Sequence, residues 1–203
     1  MKILLTGFEP FNDSSINPSE QVVRTLAGET IPGVCLVTAV LPVDVQAGPA
    51  ALLRAWDDSQ PEAVLCLGQA SGRSVIAIER VAVNLLDFRI PDNAGNQFSD
   101  QPVEADGPAA YFTTLPVRSI LERLTSRGIP AQLSLSAGAY LCNQVIYVLL
   151  DYLQDQGSKT PAGFIHLPDL PEQAARKSTP GPSMSLETMI QAVRLALQVI
   201  AQG

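Results

Sequence analysis

Short apolar runs rich in β-branched residues alternate with amphipathic stretches along the whole of this 203-residue chain, and that alternation leaves few fold classes open to it. Lys2–Thr6, Val34–Leu41, Ala63–Leu67, Gln132–Leu135 and Gly163–Leu167 read as strands. Ser19–Leu26, Val45–Trp56, the stretch 117–124 and Leu141–Leu153 read as helices. A last helix carries Leu186, Met189, Ile190, Val193, Leu197 and Ile200 in one stripe at helical spacing. Strands that alternate with helices pair in parallel and bury both faces under the helices. The expectation is α/β: a three-layer α/β/α sandwich with a largely parallel (mixed) twisted sheet. No repeat or linker divides it, so residues 1–203 are expected to form a single domain.

Two segments stand apart. Ser74–Leu86 alternates at period 2, as one long strand or a pair of strands would. Asp92–Asp106 is polar, irregular and rich in Gly, Asn and Asp, and reads as a long loop; loops of about 12–15 residues within a compact domain are often functional.

Composition narrows the function. There are 13 basic and 20 acidic residues, a net charge of −7, and no Lys/Arg block of the kind nucleic-acid binding needs. No apolar run approaches the roughly 20 residues of a membrane-spanning helix. The apolar start stops at Gly7, short of an export signal, so a cytoplasmic protein with no nucleic-acid or membrane partner is expected. The three cysteines, Cys35, Cys66 and Cys142, are too few for a disulfide framework. With one histidine and no CxxC or HExxH, neither a metal nor another cofactor is expected.

Open α/β sheets bind ligands beyond the carboxyl ends of their strands, so residues that follow strands are the candidates. Cys142 follows the small-residue turn Ser136-Ala137-Gly138-Ala139 and falls in the first turn of a helix. Free N–H groups and the macrodipole favour a thiolate there; the alternative is a small buried hydrophobe. Cys35 and Cys66 read as strand core. His166 ends a strand and is the only histidine, hence the only imidazole base this chain could offer Cys142; otherwise it is structural. Glu79, amid apolar strand residues, is either ion-paired with a nearby arginine or the group that orients the imidazole. The turn Gly68-Gln69-Ala70-Ser71-Gly72-Arg73 is weakly compatible with phosphate binding and matches no P-loop.

Six blocks in order resemble one family of cysteine peptidases, the pyroglutamyl peptidase I (pyrrolidone carboxyl peptidase) family. They are Gly7-Phe8-Glu9-Pro10-Phe11 with Asn17-Pro18-Ser19; Gly68-Gln69-Ala70; Glu79-Arg80-Val81-Ala82-Val83-Asn84; Arg89-Ile90-Pro91-Asp92-Asn93; Ser136-Ala137-Gly138 with Cys142-Asn143; and Phe164-Ile165-His166 with Leu170-Pro171-Glu172-Gln173. The resemblance implies removal of N-terminal pyroglutamate from peptides by a Cys-His-Glu triad through a thioester. Cys142 matches the nucleophile, His166 the base and Glu79 the orienting carboxylate. Phe8, Phe11, Gln69 and Arg89 match residues that line the substrate pocket or stand beside the active site. The family also implies a metal-free cytoplasmic homotetramer. Ser71, Phe88, Ala139 and Asp169 depart from the family pattern around the site, which bears on pocket shape. Two other readings remain at this point: an inactive relative that binds N-terminally blocked peptides, and a nucleoside phosphorylase-like transferase using the 68–73 turn.

Overall fold

A computed structural model describes residues 1–203. Its elements are β1 (Lys2–Phe8), α1 (Pro18–Leu26), β2 (Cys35–Leu41), α2 (Ala47–Ser59), β3 (Ala63–Gln69), β4 (Ile76–Glu79), β5 (Val81–Val83), β6 (Ala110–Phe112), α3 (Val117–Thr125), β7 (Ala131–Ser134), α4 (Leu141–Asp155), β8 (Ala162–Leu167), α5 (Pro171–Arg176) and α6 (Leu186–Ile200). The main sheet has the order β2-β1-β3-β8-β4-β7, and β5 pairs with β6 in a separate antiparallel ribbon.

The central strands β1, β3 and β8 are buried almost throughout. They read as unbroken apolar runs because both faces of the sheet are covered. Alternate residues point to opposite sides: Ile3, Leu5 and Leu65 pack with α1, α3 and α6, whereas Leu4, Val64 and Cys66 pack with α2 and α4. The three-layer sandwich is as expected. Helix α1 starts firmly, with Asn17 Oδ1 accepting from the Ser19 backbone N–H and Pro18 in the first turn. Ser19 Oγ in turn accepts from the backbone N–H of Phe8 (2.9 Å), so the helix start fixes the end of β1.

The sheet is mixed at one seam. β1, β2, β3 and β8 run parallel, while β4 pairs antiparallel with β8 and parallel with β7. The link 70–75 is too short for a parallel crossover, which needs about a dozen residues, so β4 returns in the opposite direction. The 74–86 segment is a pair of strands in different sheets, broken at Arg80. Strand β6 and helix α5 had no expectation in the sequence reading. Cys35 also differs from expectation: it opens the edge strand β2 and is exposed, whereas Cys66 lies in the core. No helix is long and apolar enough to cross a membrane.

The strand order reverses at β1, between its neighbours β2 and β3. In such sheets that reversal opens a crevice at the carboxyl ends of the strands. Phe8 closes β1, Gln69 closes β3, and His166 is the penultimate residue of β8.

Candidate active site

An open cavity of about 740 Å³ lies over this crevice. Gln69, Arg73, Arg89, Cys142 and His166 all line it. Beside it, reaching back under Cys142, is a narrow apolar cleft of about 40 Å³ walled by Phe8, Phe11, Val43, Tyr140 and Leu141. Phe11, Gln69, Tyr140 and Cys142 border both spaces.

Glu79 is fully buried at the end of β4. In the antiparallel register it faces Phe164, and its side chain reaches diagonally to His166, opposite Ala77. His166 Nδ1 lies 2.8 Å from Glu79 Oε1. A carboxylate only accepts, so Nδ1 carries the hydrogen and Nε2 is left as the basic nitrogen. The same Oε1 accepts from Arg73 Nη1 at 2.8 Å, while Oε2 has no partner. Arg73 also donates through Nη2 to the Ser136 carbonyl (3.0 Å). Its fork is therefore committed, and the phosphate role considered for the 68–73 turn loses its cation. Glu79 Oε1 thus contacts both the arginine and the imidazole.

Cys142 is the second residue of α4, as expected from its turn. The feeding strand β7 points the other way, however, and the segment 135–140 carries the chain back to the crevice, with Gly138 at φ +81°. No side chain caps α4, so the N–H groups of its first turn are left for a ligand. The thiol rests on bare backbone. A Cβ at Gly68 would stand 2.7 Å from Cys142 Sγ and 2.7 Å from Phe164 Cζ, so only glycine fits beneath the sulfur. Burial pushes the thiol up to about 12, with the charges of Glu79 and Cys66 adding to it; the residue's own N–H and Arg73 pull the other way. Burial therefore works against the thiolate that the helix start favours.

Two residues of the quoted blocks to which the sequence assigned no role lock the surroundings. Asn143, fully buried, accepts from Val83 N–H (2.8 Å) and donates to the Val83 and Leu85 carbonyls, which pins the start of α4 to β5. Asp92 accepts from the backbone N–H groups of Val45, Ala94 and Asn96 and from the Asn96 amide. It thereby fastens the 92–98 loop against the start of α2. Burial alone would raise the Asp92 carboxyl, but these donors outweigh it and hold the group below its ordinary value. A depressed carboxyl stabilises above its unfolded value and loses that contribution as pH falls through the folded one. Asp92→Asn should thus cost about 1–3 kcal/mol at pH 7 and flatten the decline toward acid. Urea unfolding at pH 7 and at about pH 2.5 checks it; equal pH dependence in both proteins would refute the assignment.

The four departures have distinct places. Phe88 is buried edge-on behind Tyr140, with ring centroids 4.6 Å apart. Ala139 lines the open cavity. Ser71 and Asp169 bond each other (2.6 Å), and the buried Asp169 also accepts from Gln69 Nε2 (2.6 Å) and pairs with Lys177. Two of the departures thus satisfy one another. Arg89 is exposed on the cavity wall and makes no ion pair. Nowhere do three His, Cys, Asp or Glu side chains gather as a metal ion would require.

The family model described as pyroglutamyl peptidase matches residues 1–203. A pyrrolidone-carboxylate peptidase of Yersinia pestis (strain Pestoides F) is 47% identical over 202 residues, covering 99% of this chain and 93% of its own. Among solved structures, a mutant pyrrolidone carboxyl peptidase from Pyrococcus furiosus superposes with TM-score 0.96 at 42% identity, over 100% of this chain and 99% of its own. The pyroglutamyl peptidase I of Bacillus amyloliquefaciens gives 0.94 at 40% identity, over 100% and 97%.

Proposed function

The chain belongs to the pyroglutamyl peptidase family, and from that membership we propose that Cys142, His166 and Glu79 carry its reaction as nucleophile, base and orienting carboxylate. The activity is that of a cysteine peptidase which removes an N-terminal pyroglutamyl residue from peptides. The observation that carries the assignment of residues is the buried Glu79–His166 contact of 2.8 Å in the one cavity that also holds the only helix-start cysteine.

His166 Nε2 takes the Cys142 proton as the sulfur attacks the pyroglutamyl carbonyl carbon, forming the C–S bond. Glu79 stabilises the imidazolium and holds its tautomer. The negative oxygen is met by N–H groups of the first turn of α4, where one well-placed donor is worth about 3–4 kcal/mol. As the C–N bond breaks, the imidazolium gives its proton to the leaving amine. Water then enters, loses a proton to the same imidazole and cleaves the thioester, which releases pyroglutamate and restores the thiol.

The pyroglutamyl ring is neutral, compact and half apolar, so aromatic walls with a few polar groups suit it. Phe8 and Phe11 are assigned to its faces, Gln69 to its polar edge, and Arg89 to the substrate on the open side. The cleft of about 40 Å³, with the Phe11 and Tyr140 ring centroids 6.3 Å apart, offers the apolar part of that surface. Homotetrameric assembly and a cytoplasmic location belong to this proposal on the resemblance alone.

The test is release of a fluorogenic amine from its pyroglutamyl amide, set against the prolyl amide. A site that hydrogen-bonds the lactam should prefer the first by about 10⁴-fold. Comparable release from both would remove the assigned recognition.

A further inference from the structure

Arg73 belongs to no triad, yet it touches two parts of the site that come from distant stretches of chain. Its Nη1 meets Glu79 Oε1 at 2.8 Å, and its Nη2 meets the Ser136 carbonyl at 3.0 Å. One contact is with the carboxylate behind the base. The other is with the turn that leads into Cys142. We infer that Arg73 is a positioning residue for hydrolysis: it keeps the Glu79–His166 pair free of a surplus proton and ties that pair to the turn before the nucleophile. The inference rests on the triad reading above.

The argument begins with burial. Glu79 is 0% exposed and its Oε2 finds no donor, so the carboxylate depends on the two donors that share Oε1. Without Arg73, the cheapest neutralisation of a buried carboxylate is an extra proton on the pair. The proton could sit on the imidazole, as an ion pair, or on the carboxylate, with the hydrogen of the neutral ring moved to Nε2. Two such coupled groups titrate as a unit, and both arrangements are inert, because Nε2 cannot then accept the Cys142 proton. A permanent guanidinium charge beside the pair repels the extra proton in either arrangement.

The other ionisable groups near the pair do not replace it. Cys142 from α4 and Cys66 from β3 are thiols whose charged form burial disfavours, and neither can supply a positive charge. Asp169, beyond β8, is matched by Lys177. Across the open cavity, Arg89 and Asp87 are exposed to water and screened. Arg73, with 29% of its side chain exposed, is the one cation in contact with the carboxylate.

The second contact acts on geometry. Ser136 begins the turn whose Gly138 sits at φ +81°, and the backbone beyond it sets where Cys142 and the first N–H groups of α4 stand. A planar fork spans Glu79 and Ser136 together; an ammonium, as a point charge, does not reproduce that span. Charge and span can therefore be separated by substitution.

His166 is the only histidine in the chain, so its ring resonances report the titration of the pair by NMR with no overlap and no need of turnover. In Arg73→Gln the titration should move to higher pH by about one unit or more. The acid limb of kcat/KM should move with it, so that activity lost at neutral pH returns as pH rises. In Arg73→Lys the titration should stay within a few tenths of a unit of the parent, while kcat falls about tenfold or more through the lost tether. A glutamine variant that is folded, with dispersed resonances, and titrates with the parent overturns the charge role. A lysine variant with the parental kcat overturns the tether, and decides alone should the glutamine variant not fold. Because the titration is read without substrate, failure here is distinct from failure of the triad reading, which would show as an active Cys142→Ser protein.

Discussion

Cys142→Ser should lower kcat/KM on a pyroglutamyl amide by about five orders of magnitude, in line with the loss of a nucleophile from a preorganised triad. The hydroxyl is the weaker nucleophile and gives up its proton far less readily than a thiol. It is also the smaller atom in a place shaped to sulfur, on the bare backbone of Gly68 with Phe164 alongside. What survives is the contribution of substrate binding and of the α4 N–H groups, about 10³–10⁴-fold over water in comparable sites. The change removes no buried hydrogen bond, so the unfolding midpoint should stay near the parent's, the shift being about 1 kcal/mol or less. Single-turnover rates and urea unfolding measured together check both halves. A serine protein within tenfold of the parent would end the assignment of Cys142 as nucleophile. Full loss of activity with the fold kept, and peptide binding intact, is the expected pattern.

Glu79→Gln should follow, at about 10³–10⁴-fold in kcat/KM. The amide is nearly isosteric, but it either keeps its oxygen toward Arg73 and His166 without charge or turns its NH₂ to them. Turned, it donates to Nδ1 and forces the ring hydrogen onto Nε2, the wrong tautomer for accepting a proton from sulfur. Unturned, it no longer stabilises the imidazolium. The change also strips Arg73 of its counter-charge. Because that guanidinium keeps 29% of its surface, the cost to stability should be about 1–3 kcal/mol rather than that of a fully buried broken pair. Stopped-flow hydrolysis together with denaturant unfolding reads both effects. A glutamine variant with activity within tenfold of the parent would reduce Glu79 to a structural ion pair.

The triad candidates were legible because each carries a local mark. Cys142 has a small-residue turn before an apolar helix, His166 has no rival, and Glu79 is a charge in an apolar strand. Arg73 carries no such mark. Its partners lie across the antiparallel seam and in the turn after β7, and nothing local in Ser71-Gly72-Arg73 announces either. The roles of Asn143 and Asp92 escaped for the same reason, since their hydrogen bonds run to backbone groups far along the chain. The parallel part of the sheet followed from alternation. The place of the reversed strands did not, because β8, far along the chain, inserts between β3 and β4. Strand β6 is three residues long with two of them exposed, and α5 only six residues, too short for either period to register. Cys35 sits in an apolar run, but as the first residue of an edge strand it meets solvent. Apolar neighbours do not bury a strand's end.

The place of β8 has a consequence for the order in which the molecule can come together. It is the last strand in the chain, yet it lies between β3 and β4 and hydrogen-bonds to both. Until residues 162–167 leave the ribosome, β2-β1-β3 and β4-β7 are two partial sheets, each with an unpaired inner edge. The same late strand delivers the imidazole to a carboxylate made more than eighty residues earlier, for His166 and Glu79 are 87 positions apart. On the proposed triad, closing the sheet and completing the base are one event, so a half-made chain holds its thiol with nothing to draw off the proton. Proteolytic competence arrives only with the finished fold.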